Sequence, residues 1–435
     1  MKIAVVALGK IGLPLAVQFA SKGHDVVGVD VNPVVVEQVN QGLAPFPGEA
    51  GLAERLAELV PAGRLRATSD YGLAIPGAEA VVVVVPLFVE EGTWRPDFGW
   101  MESATRSLAA RLTPGALISY ETTLPVGTTR RRWKPLIEEV SGLVEGVDFD
   151  LVFSPERVLT GRVWRDLRRY PKLVGALGPR GAGRAVEFYQ AVLDFDERAD
   201  LPRPNGVWDL GSAEAAELAK LAETTFRDVN IGLANQYARF AERNGIDVYR
   251  VIEASNSQPY SHIHSPGIAV GGHCIPVYPW LYLHNDPDAT IVRAAREANL
   301  AMPAHGVELA AAALDGDLRG KTVAVLGASY RGRVKETAFS GVYGVVEALR
   351  GRGAKALVHD PMFSDQELAG LGFEPYHLGE PVDAAVIQAD HPEYADLAPA
   401  DLPGVKVLVD GRRVTAPEAW AGVTRLVIGE APQSG

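Results

Sequence analysis

Short apolar runs alternate with amphipathic stretches along the first part of the chain. The run from Ile3 to Leu8 ends at a glycine-containing turn, and the apolar spacing from Leu13 to Ala20 predicts a helix. Five consecutive valines, Val81 to Val85, are typical of a strand buried on both faces of a sheet. Further strands are predicted at residues 25–31, 116–120 and 151–153. This alternation predicts a parallel sheet with helices on both sides.

A long uninterrupted helix is predicted from Ala213 to Arg243. Ser212 is a suitable N-cap, and Asn244 followed by Gly245 is a typical helix stop. Such a helix would extend roughly 46 Å, and helices of this length usually pack against a partner helix or bridge domains. We therefore expect it to connect the parts of the chain and to form the interface of a homodimer.

The last third of the chain repeats the strand and helix alternation. Strands are predicted at residues 322–326, 356–359, 384–387 and 405–409, with a helix at residues 342–350. The predicted fold class is therefore α/β, with two doubly wound Rossmann-like domains joined by a helical central domain that contains the long helix. The expected domains are residues 1–203, residues 204–305 and residues 306–435.

The charge composition narrows the classes of partner. The 42 basic and 54 acidic side chains give a net charge of -12, which argues against a nucleic-acid partner. No apolar run reaches the length of a membrane span, so no membrane partner is expected. Cys274 is the only cysteine, so no internal disulfide can form. A lone thiol suits a reducing compartment, and we expect a cytoplasmic protein.

A degenerate dinucleotide motif follows the first strand. Residues 7–12 read Ala-Leu-Gly-Lys-Ile-Gly, which is G-x-G-x-x-G with alanine in place of its first glycine. Gly9 would allow close approach of a pyrophosphate, Gly12 would allow close packing of helix on strand, and the amides around Lys10 and Ile11 would bind phosphate.

The residue that ends the second strand identifies the dinucleotide. Asp30 lies near the expected spacing of about 20 residues from the glycines, and its carboxylate would bond the ribose hydroxyls. The same carboxylate would repel a 2′-phosphate, so NAD is predicted rather than NADP. Pro86, which follows the valine run, is a further candidate cofactor contact. The alternative is a Rossmann fold that has lost its cofactor.

The second informative stretch, residues 271–276, reads Gly-Gly-His-Cys-Ile-Pro. A lone cysteine is most often a small apolar filler, but Gly271 and Gly272 would allow a tight turn and close backbone approach beside Cys274. His262, His264 and His273 raise the question of zinc, yet no cysteine or carboxylate cluster completes a ligand set. We expect no metal.

Together with these motifs, four sequence blocks resemble those of the nucleotide-sugar dehydrogenases of the UDP-glucose/GDP-mannose dehydrogenase family, and they follow one another in the family's order. They are Glu-Thr-Thr-Leu-Pro-Val-Gly-Thr at residues 121–128, Ser-Pro-Glu-Arg-Val at residues 154–158, the helix carrying Lys220, and the GGHCIPV block. The resemblance implies oxidation of the C6 alcohol of a UDP-hexose or UDP-N-acetylhexosamine to a carboxylate with two NAD⁺, in polysaccharide biosynthesis. The GGHCIPV block is more similar to the N-acetylhexosamine branch.

The resemblance also implies roles for individual side chains. Cys274 would capture the aldehyde as a thiohemiacetal and then carry a thioester, Glu156 would be the acid/base carboxylate, and Lys220 would stabilise oxyanions. Thr123 would position water or the substrate hydroxyl beside the cofactor. The implied substrate-binding residues are Glu156, Arg157, Lys220, Thr224, Gly271, Gly272, Tyr330 and Arg331. Of these, Tyr330 and Arg331 would contact the base and phosphates of UDP.

Several positions depart from the family pattern, among them residues 85–87, which read Val-Pro-Leu where the family usually has Pro-Thr-Pro. Thr224 replaces an asparagine, Tyr278 replaces an aspartate and Ala338 replaces an arginine. A phenol cannot act as a base near neutral pH in place of a carboxylate, because its reference pKa is about 10. The departures therefore put the hydrolysis of the thioester and the identity of the substrate in question.

Several alternatives stay open from the sequence. The protein could stop after one oxidation or act on an atypical nucleotide, or it could bind nucleotides without catalysis. A hydroxyacid- or phosphogluconate-type dehydrogenase would share the architecture but would not need the Gly-Gly-His-Cys loop. Without the resemblance, Lys220 could be a solvated residue paired with Glu217, Glu156 a surface carboxylate, and Thr123 a turn residue.

Overall fold

The computed structural model describes residues 1–90 and 92–430. The chain divides into two compact units, and the division falls between Glu223 and Thr224, inside the long helix. We refer to the part before this division as unit 1 and to the part after it as unit 2. Within the described residues, no helix has both the length and the apolar character needed to span a bilayer.

Unit 1 is an α/β layer structure. Its strands are β1 (Lys2–Val6), β2 (Asp25–Val29), β3 (Leu65–Thr68), β4 (Ala80–Val83), β5 (Phe88–Val89), β6 (Pro96–Asp97), β7 (Leu117–Tyr120), β8 (Asp150–Phe153), β9 (Lys172–Ala176) and β10 (Val207–Asp209). Its helices are α1 (Gly12–Ser21), α2 (Pro33–Asn40), α3 (Leu52–Leu59), α4 (Tyr71–Ala74), α5 (Gly99–Ala109), α6 (Lys134–Ser141), α7 (Val163–Arg169) and α8 (Pro179–Val192), and α9 (Ala213–Arg243) begins in this unit.

The main sheet of unit 1 has the strand order β10-β9-β8-β7-β4-β1-β2-β3. Its pairs are parallel except β8 with β9. Val82 belongs to the apolar cluster on one face, and Val81 and Val83 belong to the cluster on the other face. The prediction of a strand buried on both faces is therefore confirmed for β4. The strand order reverses between β1 and β4, which is where doubly wound sheets bind ligands.

Unit 2 contains a second parallel sheet. After the rest of α9, its helices are α10 (Val248–Asn256), α11 (Tyr278–Asn285), α12 (Thr290–Leu300), α13 (Met302–Ala313), α14 (Gly341–Gly351) and α15 (Asp365–Gly370). Its strands are β11 (Thr322–Leu326), β12 (Lys355–His359), β13 (Glu374–Pro375), β14 (Ala384–Ile387), β15 (Val407–Asp410) and β16 (Thr424–Val427), in the sheet order β13-β12-β11-β14-β15-β16. Apolar clusters cover both faces of this sheet.

The long helix α9 has the predicted bounds. Ser212 Oγ accepts a hydrogen bond from the Ala215 amide at 3.1 Å, which caps the N-terminus as predicted. At the other end, Gly245 has a φ of +70°, and the Ile246 amide bonds the Ala241 carbonyl at 2.9 Å. The fold class predicted from the sequence, two Rossmann-like sheets with a helical segment between them in the chain, is confirmed.

Candidate active site

The turn after β1 has the geometry of a dinucleotide fingerprint. Ala7, at the position of the missing first glycine, has a φ of +76°, so it adopts the left-handed conformation that glycine normally supplies. A Cβ on Gly12 would lie 1.9 Å from the Ala7 carbonyl oxygen, which makes glycine obligatory where α1 meets the strand. A Cβ on Gly9 would have no neighbour within 4 Å among the described residues, so this amide edge is open to a ligand.

Asp30 is held at the end of β2. Its Oδ2 accepts a hydrogen bond from the Leu8 amide at 2.8 Å, and its Oδ1 accepts one from the Asn32 amide at 2.9 Å. In the described part of the chain, no side chain caps the start of α1, whose dipole favours an anion there. The open Gly9 edge, the uncapped helix and the oriented carboxylate together fit the pyrophosphate and ribose of NAD.

Two more predicted residues follow the neighbouring strands. Pro86 comes after β4 and is exposed, and Thr123 comes after β7 and is buried. Since β1, β4 and β7 are adjacent and parallel, the residues that follow them lie along the same carboxyl edge of the sheet. Thr122, next to Thr123, anchors this segment by donating a hydrogen bond to the Val85 carbonyl at 2.7 Å.

Glu156 lies in a buried ionic cluster that the sequence reasoning did not anticipate. Lys172 Nζ lies 3.1 Å from Glu156 Oε2 and 2.5 Å from Glu121 Oε2. The Tyr189 hydroxyl donates to Glu121 Oε1 at 2.6 Å. Glu156 is therefore not a solvated surface carboxylate, and we call these four side chains the Lys172 cluster.

Of the predicted residues in unit 1, Lys220 is buried and Arg157 is partly buried. Lys220 is 7% exposed on α9. Glu217, one turn before it, accepts hydrogen bonds from the amides of Gly127 and Thr129, which ties α9 to the loop after β7. Arg157 Nε bonds Glu223 Oε2 at 2.9 Å.

In unit 2, the two predicted glycines pack against Tyr330. A Cβ on Gly271 would lie 2.6 Å from Tyr330 Cβ, and one on Gly272 would lie 3.2 Å from the Tyr330 ring. Gly272 has a φ of +90°, and its amide bonds the Ala338 carbonyl at 2.9 Å. The structure thus brings Gly271, Gly272 and Tyr330 together, and only glycine fits at both positions of the turn.

Cys274 lies at the end of this turn and is exposed, so the interpretation as an apolar filler is wrong. Its carbonyl accepts hydrogen bonds from the amides of Val277 and Tyr278, the latter at the start of α11. The buried Arg296 donates to the carbonyls of Ile275 and Pro276 at 3.4 Å and 3.0 Å. These hydrogen bonds therefore fix the backbone that follows Cys274.

Arg296 belongs to a buried polar group that the sequence did not indicate. Its Nε lies 3.0 Å from Asp228 Oδ2, and Asn299 Nδ2 donates to Asp228 Oδ1 at 2.8 Å. Burial raises the pKa of Asp228 to about 6, against the opposing effect of Arg296. Thr224, one turn before Asp228 on α9, is 5% exposed. An arginine in an amphipathic helix usually faces solvent, so the pattern of α12 carries no signal for this role.

The loop after β11 holds the remaining predicted residues. Arg331 Nε donates to the Tyr330 hydroxyl at 3.1 Å, so the two predicted UDP contacts are adjacent. Asp360, at the end of β12, accepts hydrogen bonds from the amides of Ala328 and Ser329 at 2.9 Å and 2.8 Å.

The predicted site residues fall into two groups. Those in unit 1 are Gly9, Lys10, Ile11, Gly12, Asp30, Pro86, Thr123, Glu156, Arg157 and Lys220, and those in unit 2 are Thr224, Gly271, Gly272, Cys274, Tyr330 and Arg331. Across residues 1–90 and 92–430, no group of three or more His, Cys, Asp or Glu side chains is arranged to hold a metal ion.

Models of one protein family match three segments of the chain. Residues 1–193 match the NAD binding domain of the UDP-glucose/GDP-mannose dehydrogenase family, residues 214–301 match its central domain and residues 324–417 match its UDP binding domain.

Individual relatives span nearly the whole chain. The UDP-N-acetyl-D-mannosamine dehydrogenase of Pyrococcus horikoshii is 36% identical over 423 residues, covering 95% of this chain and 96% of the relative. The enzyme of the same name from Methanocaldococcus jannaschii is 32% identical and covers 96% of this chain and 94% of the relative. The solved UDP-D-ManNAc dehydrogenase from P. horikoshii has a TM-score of 0.87 at 34% identity, covering 99% of this chain and 100% of that one.

These matches extend over both α/β sheets and the long helix. The chain belongs to the UDP-glucose/GDP-mannose dehydrogenase family and is an NAD-dependent UDP-sugar dehydrogenase that acts on a CH–OH group.

Proposed function

We propose that this protein oxidises the C6 alcohol of a UDP-N-acetylhexosamine to the uronate through a covalent intermediate on Cys274. The sugar nucleotide that we propose as its substrate is UDP-N-acetyl-D-mannosamine. The observation that carries the proposal is the exposed thiol on a glycine turn packed against Tyr330. The relatives with high coverage bear the name UDP-N-acetyl-D-mannosamine dehydrogenase, which supports the choice of sugar.

NAD⁺ bound at the Gly9 turn supplies the acceptor for one hydride in each of two oxidations. In the first, a proton leaves the C6 hydroxyl for Glu156 and an aldehyde results. The Cys274 thiolate then adds to the aldehyde carbon, and Lys220 stabilises the oxygen that becomes negative. Loss of the second hydride from this thiohemiacetal leaves a thioester. Water cleaves the thioester to the carboxylic acid and restores the thiol.

The residues at the positions implied in thioester hydrolysis favour a second candidate function. Tyr278 and Thr224 stand where the family has an aspartate and an asparagine, and a neutral phenol activates water poorly. Under this candidate, the protein releases the aldehyde after one oxidation. The number of NADH molecules formed per product separates the two candidates, because the full reaction gives two and the single oxidation gives one.

The test uses the purified full chain with NAD⁺ and a panel of UDP-N-acetyl-D-mannosamine, UDP-N-acetyl-D-glucosamine and UDP-glucose. We expect NADH formation to be fastest with the first sugar and to reach two per uronate. A covalent sugar adduct on Cys274 should appear by mass spectrometry after rapid acid quench. Cys274→Ser should form no thioester but should still bind NAD⁺ with unchanged affinity by calorimetry.

Binding of NAD⁺ and UDP-sugar without any NADH would contradict the enzymatic proposal and support a nucleotide-binding role. Activity that persists at the wild-type level in Cys274→Ser would contradict the covalent step alone.

We further propose that α9 forms the interface of a homodimer. Phe226, Leu233, Tyr237 and Phe240 are exposed apolar side chains on this helix. Their spacings of seven, four and three residues place them on one face. An exposed apolar stripe of this kind marks an interaction surface, and a second copy of the helix is the partner that it complements.

A further inference from the structure

The Lys172 cluster brings one ammonium between two carboxylates in the interior of unit 1. The side chains of Lys172 and Glu121 are 5% and 0% exposed, and that of Glu156 is 11% exposed. The Glu156 amide also bonds the Glu121 carbonyl at 3.1 Å, so the backbone holds the two acids side by side. Glu156 and Lys172 line a small cleft together with Tyr170 and Pro171.

The charges of the cluster do not cancel. Two ionised carboxylates and one ammonium leave one excess negative charge in a buried site, which is costly unless a proton neutralises it. The Tyr189 hydroxyl does not provide that proton by ionising, because burial and the nearby Glu121 raise its pKa well above its usual value. The proton must therefore reside on one of the two carboxyl groups.

The two carboxyl groups differ in their surroundings. Burial raises the pKa of Glu121 to about 7 in spite of Lys172. Burial also acts on Glu156, but Lys172 and the Arg157 amide outweigh it and lower the Glu156 pKa. The Arg157 and Val158 amides lie 2.6 Å and 3.2 Å from Glu156 Oε1, and both stabilise the anion.

Other charged groups near the cleft are engaged elsewhere. The Arg157 guanidinium bonds Glu223 and the Pro171 carbonyl. The Asp166 carboxylate accepts hydrogen bonds from the Leu159 amide and from Arg162. Ser119 and Ser154, which lie near Tyr189, carry no charge.

We propose that Lys172 and Glu121 are positioning residues that set the proton affinity of Glu156, Lys172 by holding it ionised and Glu121 by binding the proton that the buried site requires. The inference rests on the proposed function, in which Glu156 takes the proton of the C6 hydroxyl. When that proton arrives, Glu121 still lies 2.5 Å from the ammonium, so Lys172 keeps a carboxyl partner. Neither Lys172 nor Glu121 needs to touch the substrate for this role.

The inference makes different predictions for two substitutions. In Lys172→Met, Glu156 loses its cation, so the acid limb of the pH profile of kcat/KM should move up by about one to three pH units. In Glu121→Gln, a neutral amide replaces a carboxyl that is protonated over the range in which Glu156 ionises, so the limb should stay near that of the wild type. Lys172→Arg keeps the charge and should restore a limb near that of the wild type.

A merely structural role would lower activity or thermal stability without moving the limb in Lys172→Met. Circular dichroism verifies that each variant is folded. If Lys172→Met does not fold, Lys172→Gln, which also removes the charge, decides the matter, because an unmoved acid limb in that variant overturns the inference. A displaced limb in Glu121→Gln would overturn the role assigned to Glu121.

A second readout separates this inference from the proposed function. Infrared spectra of the full chain labelled with ¹³C-glutamate, taken against pH and compared with Glu156→Gln, follow the ionisation of Glu156 without any substrate. We expect the Glu156 titration to move to higher pH in Lys172→Met and to stay in place in Glu121→Gln. If no UDP-sugar is oxidised, the proposed function fails, while a Glu156 titration that is unmoved in Lys172→Met overturns the inference about the cluster.

Discussion

At the scale of single residues, two glycines of one motif carry different constraints. Gly12 is required by packing, because its Cβ would overlap the Ala7 carbonyl, whereas the space beside Gly9 is empty of protein atoms among the described residues. We expect Gly9→Ala to fold normally and to bind NAD⁺ at least about tenfold more weakly, since the methyl group occupies the place of the pyrophosphate. Calorimetry with NAD⁺ and thermal unfolding measure the two effects.

Gly12→Ala is the matched control for that substitution. It should lower the stability by about 3 kcal/mol or more, because a backbone carbonyl cannot yield to a Cβ at this distance. Equal losses of stability in the two variants, or unchanged NAD⁺ affinity in Gly9→Ala, would show that the turn is not arranged for a pyrophosphate.

Glu217 should make stability depend on pH. Burial raises its pKa from 4.5 to about 7, so between these values the folded chain holds a proton that the unfolded chain has released. Stability therefore falls as pH rises through that window. In Glu217→Gln, which cannot titrate, the Tm should fall less between pH 5 and pH 8 than in the wild type. A steeper fall in the variant would contradict the sign.

At the scale of secondary-structure elements, the sequence predicted the helices and strands that are determined by residues close to them along the chain. The bounds of α9 follow from a capping serine at Ser212 and a left-handed glycine at Gly245, and both act within one turn of the helix. The central strand β4 follows from its valines. By contrast, β9 begins with Lys172, and a lysine at the start of a short run argues against a buried strand.

The same reasoning explains which part of the site could be found. Gly9, Asp30 and Cys274 belong to short motifs whose chemistry depends on neighbours in sequence. Glu121, Lys172 and Arg296 act through partners far along the chain, such as the pair of Lys172 with Glu121. A buried charge looks like a surface charge until its partner is known, so residue patterning alone cannot identify such groups.

The exposed stripe on α9 gives a prediction at this scale. A single Phe226→Asp substitution puts a charge into the proposed interface, because Phe226 is 63% exposed and apolar. We expect the dimer to dissociate at micromolar protein concentration, with the mass measured by light scattering after gel filtration. Val147→Asp changes an exposed valine outside α9, 68% exposed, and should leave the mass unchanged. A wild-type protein that is monomeric, or a variant that stays dimeric, would contradict the interface.

At the scale of the whole molecule, the two α/β units use one acidic position in different ways. In both units, an aspartate directly follows the strand that pairs with the first strand of the sheet. Its carboxylate accepts hydrogen bonds from amides in the turn that follows that first strand. The Asp30 carboxylate accepts hydrogen bonds from the Leu8 and Asn32 amides and is only partly buried. The Asp360 side chain is fully buried and also pairs with His391 at 3.2 Å. The Asp30 position is open to a ribose, whereas the Asp360 position stabilises the fold of unit 2.

Substitution of the two aspartates should therefore give different losses. Asp30→Asn keeps an acceptor for an amide and removes the charge, so we expect nearly unchanged stability, weaker binding of NAD⁺ and a smaller preference for NAD⁺ over NADP⁺ in steady-state kinetics. Asp360→Asn leaves the buried His391 without its anion and should cost about 3 kcal/mol or more in unfolding free energy. Because Asp360 serves the fold, the folded fraction of that variant should keep the wild-type preference for NAD⁺. A changed cofactor preference in Asp360→Asn, or an unchanged one in Asp30→Asn, would contradict this division of roles between the two sheets.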